Sequence, residues 1–157
     1  MNAAFEDQLR QITLESEAVA NIGEAVKTAL EWHARPELQG RKAAALREVA
    51  TTYVAHLVRL LGLEEESAAH PAVGDALPDH PELANWQSRL LDESMRLRRE
   101  AGDVQRQLDA ADSPSDAALF DLACRALQTL LRHVAQHNAG EIDLLQEMWT
   151  RDTGCGD

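Results

Sequence analysis

A chain of 157 residues, 45% of them hydrophobic, is long enough to bury one continuous core. Its formal net charge of -12, from 27 acidic against 15 basic residues, argues against nucleic acid and anionic membranes as partners, whose phosphates would repel the surface. Aromatic residues make up only 4%, so the core must be built from Leu, Ala and Val, a composition that suits helices better than strands.

The first periodic run spans about residues 4–33. Phe5, Leu9, Ile12, Ser16, Val19, Ile22 or Gly23, Val26 and Leu30 recur at three- and four-residue spacings, the helical period. Arg35-Pro36 ends it, because a residue before proline is pushed out of the helical region. A short link leads to the second run, about 41–66, marked by Leu46, Val49, Tyr53, His56, Leu60 and Leu63. A longer connection, Ser67 to Pro81, has three prolines, a glycine and no periodic pattern.

The third run covers about 82–110, with Leu83, Trp86, Leu90, Glu93, Leu97 and Val104 on its stripe. Asp112-Ser113-Pro114-Ser115 reads as a turn, in which Ser113 or Ser115 can cap the next helix. The fourth run, about 116–149, carries Leu119, Ala123, Ala126, Leu130, His133, His137, Leu144 and Met148 on one face. Short links make consecutive helices antiparallel neighbours. The expected fold is all-α: one domain, 1–157, forming an antiparallel up-down-up-down four-helix bundle. A pair of extended hairpins that dimerise would use the same local structure.

Cys124 and Cys155 supply neither a disulfide framework nor a structural zinc site. The N-terminus lacks a basic region followed by an apolar run, and no stretch approaches 18 apolar residues, so a cytoplasmic protein is expected.

The informative feature is where ionisable residues interrupt the apolar stripes. His56 does so in the second helix, Glu93 in the third, and His133 and His137 in the fourth; Glu15 lies beside the stripe of the first, with Glu17 a poorer candidate. Taking the turns as mirror points, Glu15, His56, Glu93 and His133 fall at one height, with His137 and Glu141 following at successive i+4 steps. Burying an unpaired carboxylate or imidazolium is costly. Metal ligation by Glu and His on facing helices is one resolution, and mixed imidazole and carboxylate donors suit iron, manganese or zinc. A hydrogen-bonded structural network is the other. Glu64-Glu65-Glu66 reads as a solvated helix terminus, because the run lacks the loop of an EF-hand. No phosphate-binding glycine loop or paired-cysteine motif occurs.

Over about residues 5 to 149 the layout resembles the hemerythrin-like, or HHE cation-binding, family. Two segments carry the resemblance: Tyr53-Val54-Ala55-His56-Leu57 leading into Leu63-Glu64-Glu65-Glu66, and Leu130 to His137 followed by Glu141. The chain departs from the family pattern at three places. Leu60 stands four residues after His56 where the family has Glu, Glu93 and Leu97 replace a His pair, and Glu15 or Glu17 replaces a His in the first helix. The resemblance thus implies a four-helix bundle with a carboxylate-rich iron site, diiron in the family. Its ligands would come from Glu15, His56, Glu93, His133, His137 and Glu141, and its role would be oxygen, redox or iron sensing, or storage. Two alternatives use the same helices. One is a metal-free interaction or regulatory module, with a protein partner or a homodimer. The other is a histidine phosphotransfer bundle, which Ala55-His56-Leu57 resembles, although Arg59 and Leu60 replace the expected Lys and Gly; it requires an exposed His56.

Overall fold

The computed structural model describes residues 3–35, 43–68, 81–111 and 116–153. The Pro36–Gly40 link, the prolines and histidines of the long connection before Pro81, the Asp112–Ser115 turn, Cys155 and the side chains of Phe5, Leu83, Met148 and Trp149 lie outside the described residues. The four helices are α1 (Ala3–His33), α2 (Ala43–Ala68), α3 (Pro81–Ala110) and α4 (Ala117–Thr153). Proline at the first position of α3 is harmless, since its missing N–H would have no intrahelical partner there. Glu6 and Glu82 in the first turns of α1 and α3 complement the helix dipoles. Ala34 N–H donates to the Leu30 carbonyl at 3.0 Å and Arg35 N–H to Trp32 at 3.2 Å, closing α1 just before Pro36.

Every pair of packed neighbours is antiparallel. Between α1 and α2, Glu15 meets His56 near mid-helix while Gly23 faces Tyr53 closer to the end of α1 and the start of α2. Between α2 and α3, Arg47 donates to the Ala111 carbonyl at one end and Glu65 bonds Arg98 towards the other. Between α3 and α4, Gly140 lies against Leu90 and His133 against Glu100. His33 Nε2 and Asp121 Oδ1, 2.9 Å apart, tie the end of α1 to the start of α4. The architecture is an up-down-up-down four-helix bundle. Its α1–α4 side is packed far more thinly than the other three. Among the described residues no helix is long and apolar enough to cross a membrane.

The core is a single column of Leu, Val and Ala, with Tyr53 and Phe120 as its large anchors. A Cβ at Gly23 would come within 3.3 Å of the Tyr53 ring, so the glycine is what lets α1 approach that ring. Burial lifts the Tyr53 phenol to about 12. A second, smaller apolar cluster of Leu90 and Leu144, with Trp86 packed on it, sits beyond the main column.

The inward stripe of α4 differs from the one expected. It runs through Phe120, Ala123, Leu127, Leu130, Val134 and His137, while Leu119 is exposed. The apolar residues of this helix support two adjacent stripes, and packing chose the one containing the larger side chains. His133 consequently points outward, with 47% of its side chain exposed.

Candidate metal centre

On α2 the inward residues Leu57, Leu60 and Leu61 lead directly to Glu64, which follows them by seven, four and three residues. Helical spacing therefore aims Glu64 into the bundle rather than at solvent. On α4, Val134 leads to His137 and then to Glu141 one turn later. From α3, Glu93 reaches the same place from beside Ser94, which is buried. These residues form a polar layer between the main core and the Leu90–Leu144 cluster, since Leu97 and Val134 lie on one side of it and Leu90 and Leu144 on the other.

His137 is the hub. Its side chain is 3% exposed, and each ring nitrogen faces a carboxylate. Nδ1 lies 3.3 Å from Glu93 Oε2 in a hydrogen bond. Nε2 lies 3.2 Å from Glu141 Oε1 and 3.9 Å from Glu64 Oε2. Neither contact of Nε2 has hydrogen-bond geometry, so Nε2 and Glu64 Oε2 are buried without a hydrogen-bond partner. One ligand atom each from Glu64, His137 and Glu141 lie within 4.8 Å of one another. Among the described residues this is the one group of three or more His, Cys, Asp or Glu residues so disposed.

The electrostatics follow from burial and crowding. Burial first, and then the neighbouring Glu141 carboxylate, push the Glu64 carboxyl up to about 8, with His137 opposing them. Burial lowers the basicity of His137, but Glu141, Glu93 and Glu64 around it more than offset that and leave its pKa raised. In the metal-free fold these surroundings favour a proton on Glu64, beside an imidazole that the neighbouring acids encourage to stay charged.

The six candidate ligands, four of them expected at one height with His137 and Glu141 at the following turns, fall into three groups. Glu93, His137 and Glu141 come together. Glu15 and His56 do not join them; Glu15 bonds His56 Nδ1 at 2.7 Å and forms an ion pair with Arg59, its Oε1 3.1 Å from Nε, in a separate ion cluster on the α1–α2 side. His56 is only half-buried there. His133 Nδ1 meets Glu100 at 2.9 Å on the outer edge of the α3–α4 interface, not Glu93, because the face of α4 is rotated from that expected. Glu64 replaces them in the layer. Reading it as part of a solvated terminus was incorrect, since only 18% of its side chain is exposed. Glu65 turns instead to Ser94 and Arg98. The signal for Glu64 was present in its spacing from Leu57, Leu60 and Leu61, but the run of three acidic residues masked it.

The donors fit a metal ion. With metal–ligand bonds of about 2.1 Å, tetrahedral geometry separates ligand atoms by about 3.4 Å, and the observed 3.2 and 3.9 Å bracket that value. Nε2 and one or both carboxylate oxygens would be ligands. With a cation bound at Nε2, Nδ1 would carry the proton and donate it to Glu93, a common arrangement behind ligating histidines. No family model, no curated protein and no solved structure matches the chain.

Proposed function

We propose that this chain is a metal-binding helical bundle that holds one divalent transition-metal cation on Glu64, His137 and Glu141, with Glu93 as the residue that orients His137. The observation that carries this reading is the buried imidazole whose Nε2 faces two carboxylates without a hydrogen bond to either. An orphaned buried nitrogen is costly, and a cation beside it removes the cost of the imidazole and the carboxylates together. One nitrogen and two oxygens are donors suited to iron, manganese or zinc rather than to calcium or magnesium, which prefer all-oxygen surroundings. Three protein ligands leave coordination positions for water or a small exogenous molecule, which is the chemistry a bound cation would supply.

The oxygen, redox, iron-sensing or storage roles rest on the hemerythrin resemblance. A single imidazole and a single compact cluster support one cation per chain rather than a pair. The test is a titration of chelated protein with iron(II), manganese(II) and zinc(II), read by elemental analysis after gel filtration. One equivalent should remain bound. His137→Ala and Glu64→Ala should each lose it, Glu93→Gln should weaken it 10- to 100-fold, as loss of an orienting partner does, and His133→Ala should leave it intact. Wild-type protein that retains no metal from any of the three solutions would refute the proposal.

A further inference from the structure

Apart from the metal layer, the least finished part of the molecule is the seam between α1 and α4. Two hollows occupy it, about 320 Å³ beside Gly23 and Tyr53 and about 730 Å³ above Leu30, and they meet at Lys27, Leu131 and Ala135. The floor is apolar and already part of the core, with Leu30 and Leu131 both buried. The rims are charged and unlike each other. The α1 rim carries Glu24 and Glu31 with one cation, Lys27, between them, and the α4 rim carries Arg125 and Arg132. Between Asp121 and Glu141 the chain has no acidic residue at all, in a protein whose net charge is -12. Glu24 is paired with Lys27 on its own helix at 3.0 Å, and among the described residues Arg132 bonds only the Thr129 hydroxyl, at 3.2 Å. Among the described residues, Glu31 and Arg125 make no ion pair.

Height matters here. Counting from the His33–Asp121 contact in opposite directions, Glu31 lies two residues up α1 and Arg125 four into α4; Glu24 lies nine and Arg132 eleven. Each acid thus sits within two residues, about 3 Å, of the height of one arginine on the opposite rim. A two-fold axis running along the seam, parallel to the helices, preserves height and places the α1 rim of one copy over the α4 rim of the other. Glu31 then faces Arg125, and Glu24 faces Arg132, twice over. The stacked helices are again antiparallel, as all neighbours within the chain are, and the four seam helices make a second bundle. An isologous interface of this kind needs a self-complementary face, which the seam provides.

We propose that the α1–α4 seam is a homodimer interface, closed by a second copy of this chain through reciprocal Glu31–Arg125 and Glu24–Arg132 pairs. The face is about 22 Å long and two helices wide, so it covers roughly 400 Å² per copy, about half of what a stable specific interface buries, and the dimer should be weak, transient and concentration-dependent. This inference is independent of the metal centre.

Sedimentation equilibrium of the full chain tests it. At about 100 μM and low ionic strength the wild type should approach dimer mass, and it should return to monomer as salt screens the exposed pairs. Arg125→Glu with Arg132→Glu should be monomeric, as should Glu24→Arg with Glu31→Arg. An equimolar mixture of the two variants should form a heterodimer, because every pair is restored between them and in neither alone. Wild-type protein that stays monomeric, a swapped variant that still dimerises, or a mixture that stays monomeric would each overturn the proposal. The last two would mean, respectively, that association uses another face and that the rims pair only within one chain.

Discussion

Among single residues, Glu64 has the largest consequence. Its carboxyl has an ordinary value of 4.5 and stands at about 8 in the fold, so at neutral pH the folded, metal-free chain holds a proton that the unfolded chain does not. The sign follows: the stabilisation linked to this proton is complete below the ordinary value and is lost as pH rises through about 8. His137, also raised, acts in the same direction. Chelated wild-type protein should therefore lose melting temperature as pH rises from the ordinary value of 4.5 to about 8, and level off above it, whereas Glu64→Gln, which keeps the shape but cannot ionise, should show a much flatter dependence over that range. A parallel fall in both proteins would place the titrating group elsewhere. Buried Cys124 is raised to about 11, by burial and then by Asp121, and is correspondingly a poor nucleophile in the native chain.

Legibility also divides at the residue scale. His137 and Glu141 could be read as a pair because i,i+4 spacing puts them on one face whatever else is true. Glu93 could be read as a break in an apolar stripe. Glu64 was hidden by its acidic neighbours, which make a helix end look solvated. His133 and His56 were attractive for the same reason as His137, an imidazole among leucines, yet each lies at the edge of a stripe, where one residue of rotation decides between core and rim.

At the scale of the element, the helices follow from period and punctuation, since proline brackets the ends and the i,i+3/i+4 stripes are strong. What the period does not determine is rotation. In α4 both Leu119 and Phe120 begin a plausible stripe, and only the neighbours show that Phe120 is inside and Leu119 outside. Glycine separates the helices further. Gly62 and Gly102 have nothing within 4 Å of where a Cβ would sit, so alanine at either should stabilise the chain by about 1 kcal/mol through helix propensity alone. At Gly140 an added Cβ would meet a Leu90 methyl at 3.1 Å, so there the gain is opposed by packing. Thermal or urea melts of Gly62→Ala, Gly102→Ala and Gly140→Ala should rank the third below the first two; equal gains at all three positions would show that the α3–α4 contact is looser than 3.1 Å implies.

At the scale of the whole molecule, the polar layer divides the hydrophobic column. Leu90, Leu144 and Trp86 are on one side, and the main core is on the other. A cooperative unit is held together by continuous apolar contact, so an interruption of this kind sets a seam for sub-global opening. The end of the bundle beyond the layer should behave as a foldon of its own. In amide hydrogen exchange of the chelated protein, residues around Leu90 and Leu144 should lose protection at lower free energy than those around Leu127 and Val104, and saturating cation should draw the two sets together. The ions and protons of the layer would then govern more than affinity. They would decide whether the bundle opens in two stages or in one, so that occupancy of the site is reported at the far tip of the molecule as a change in how long its backbone stays closed.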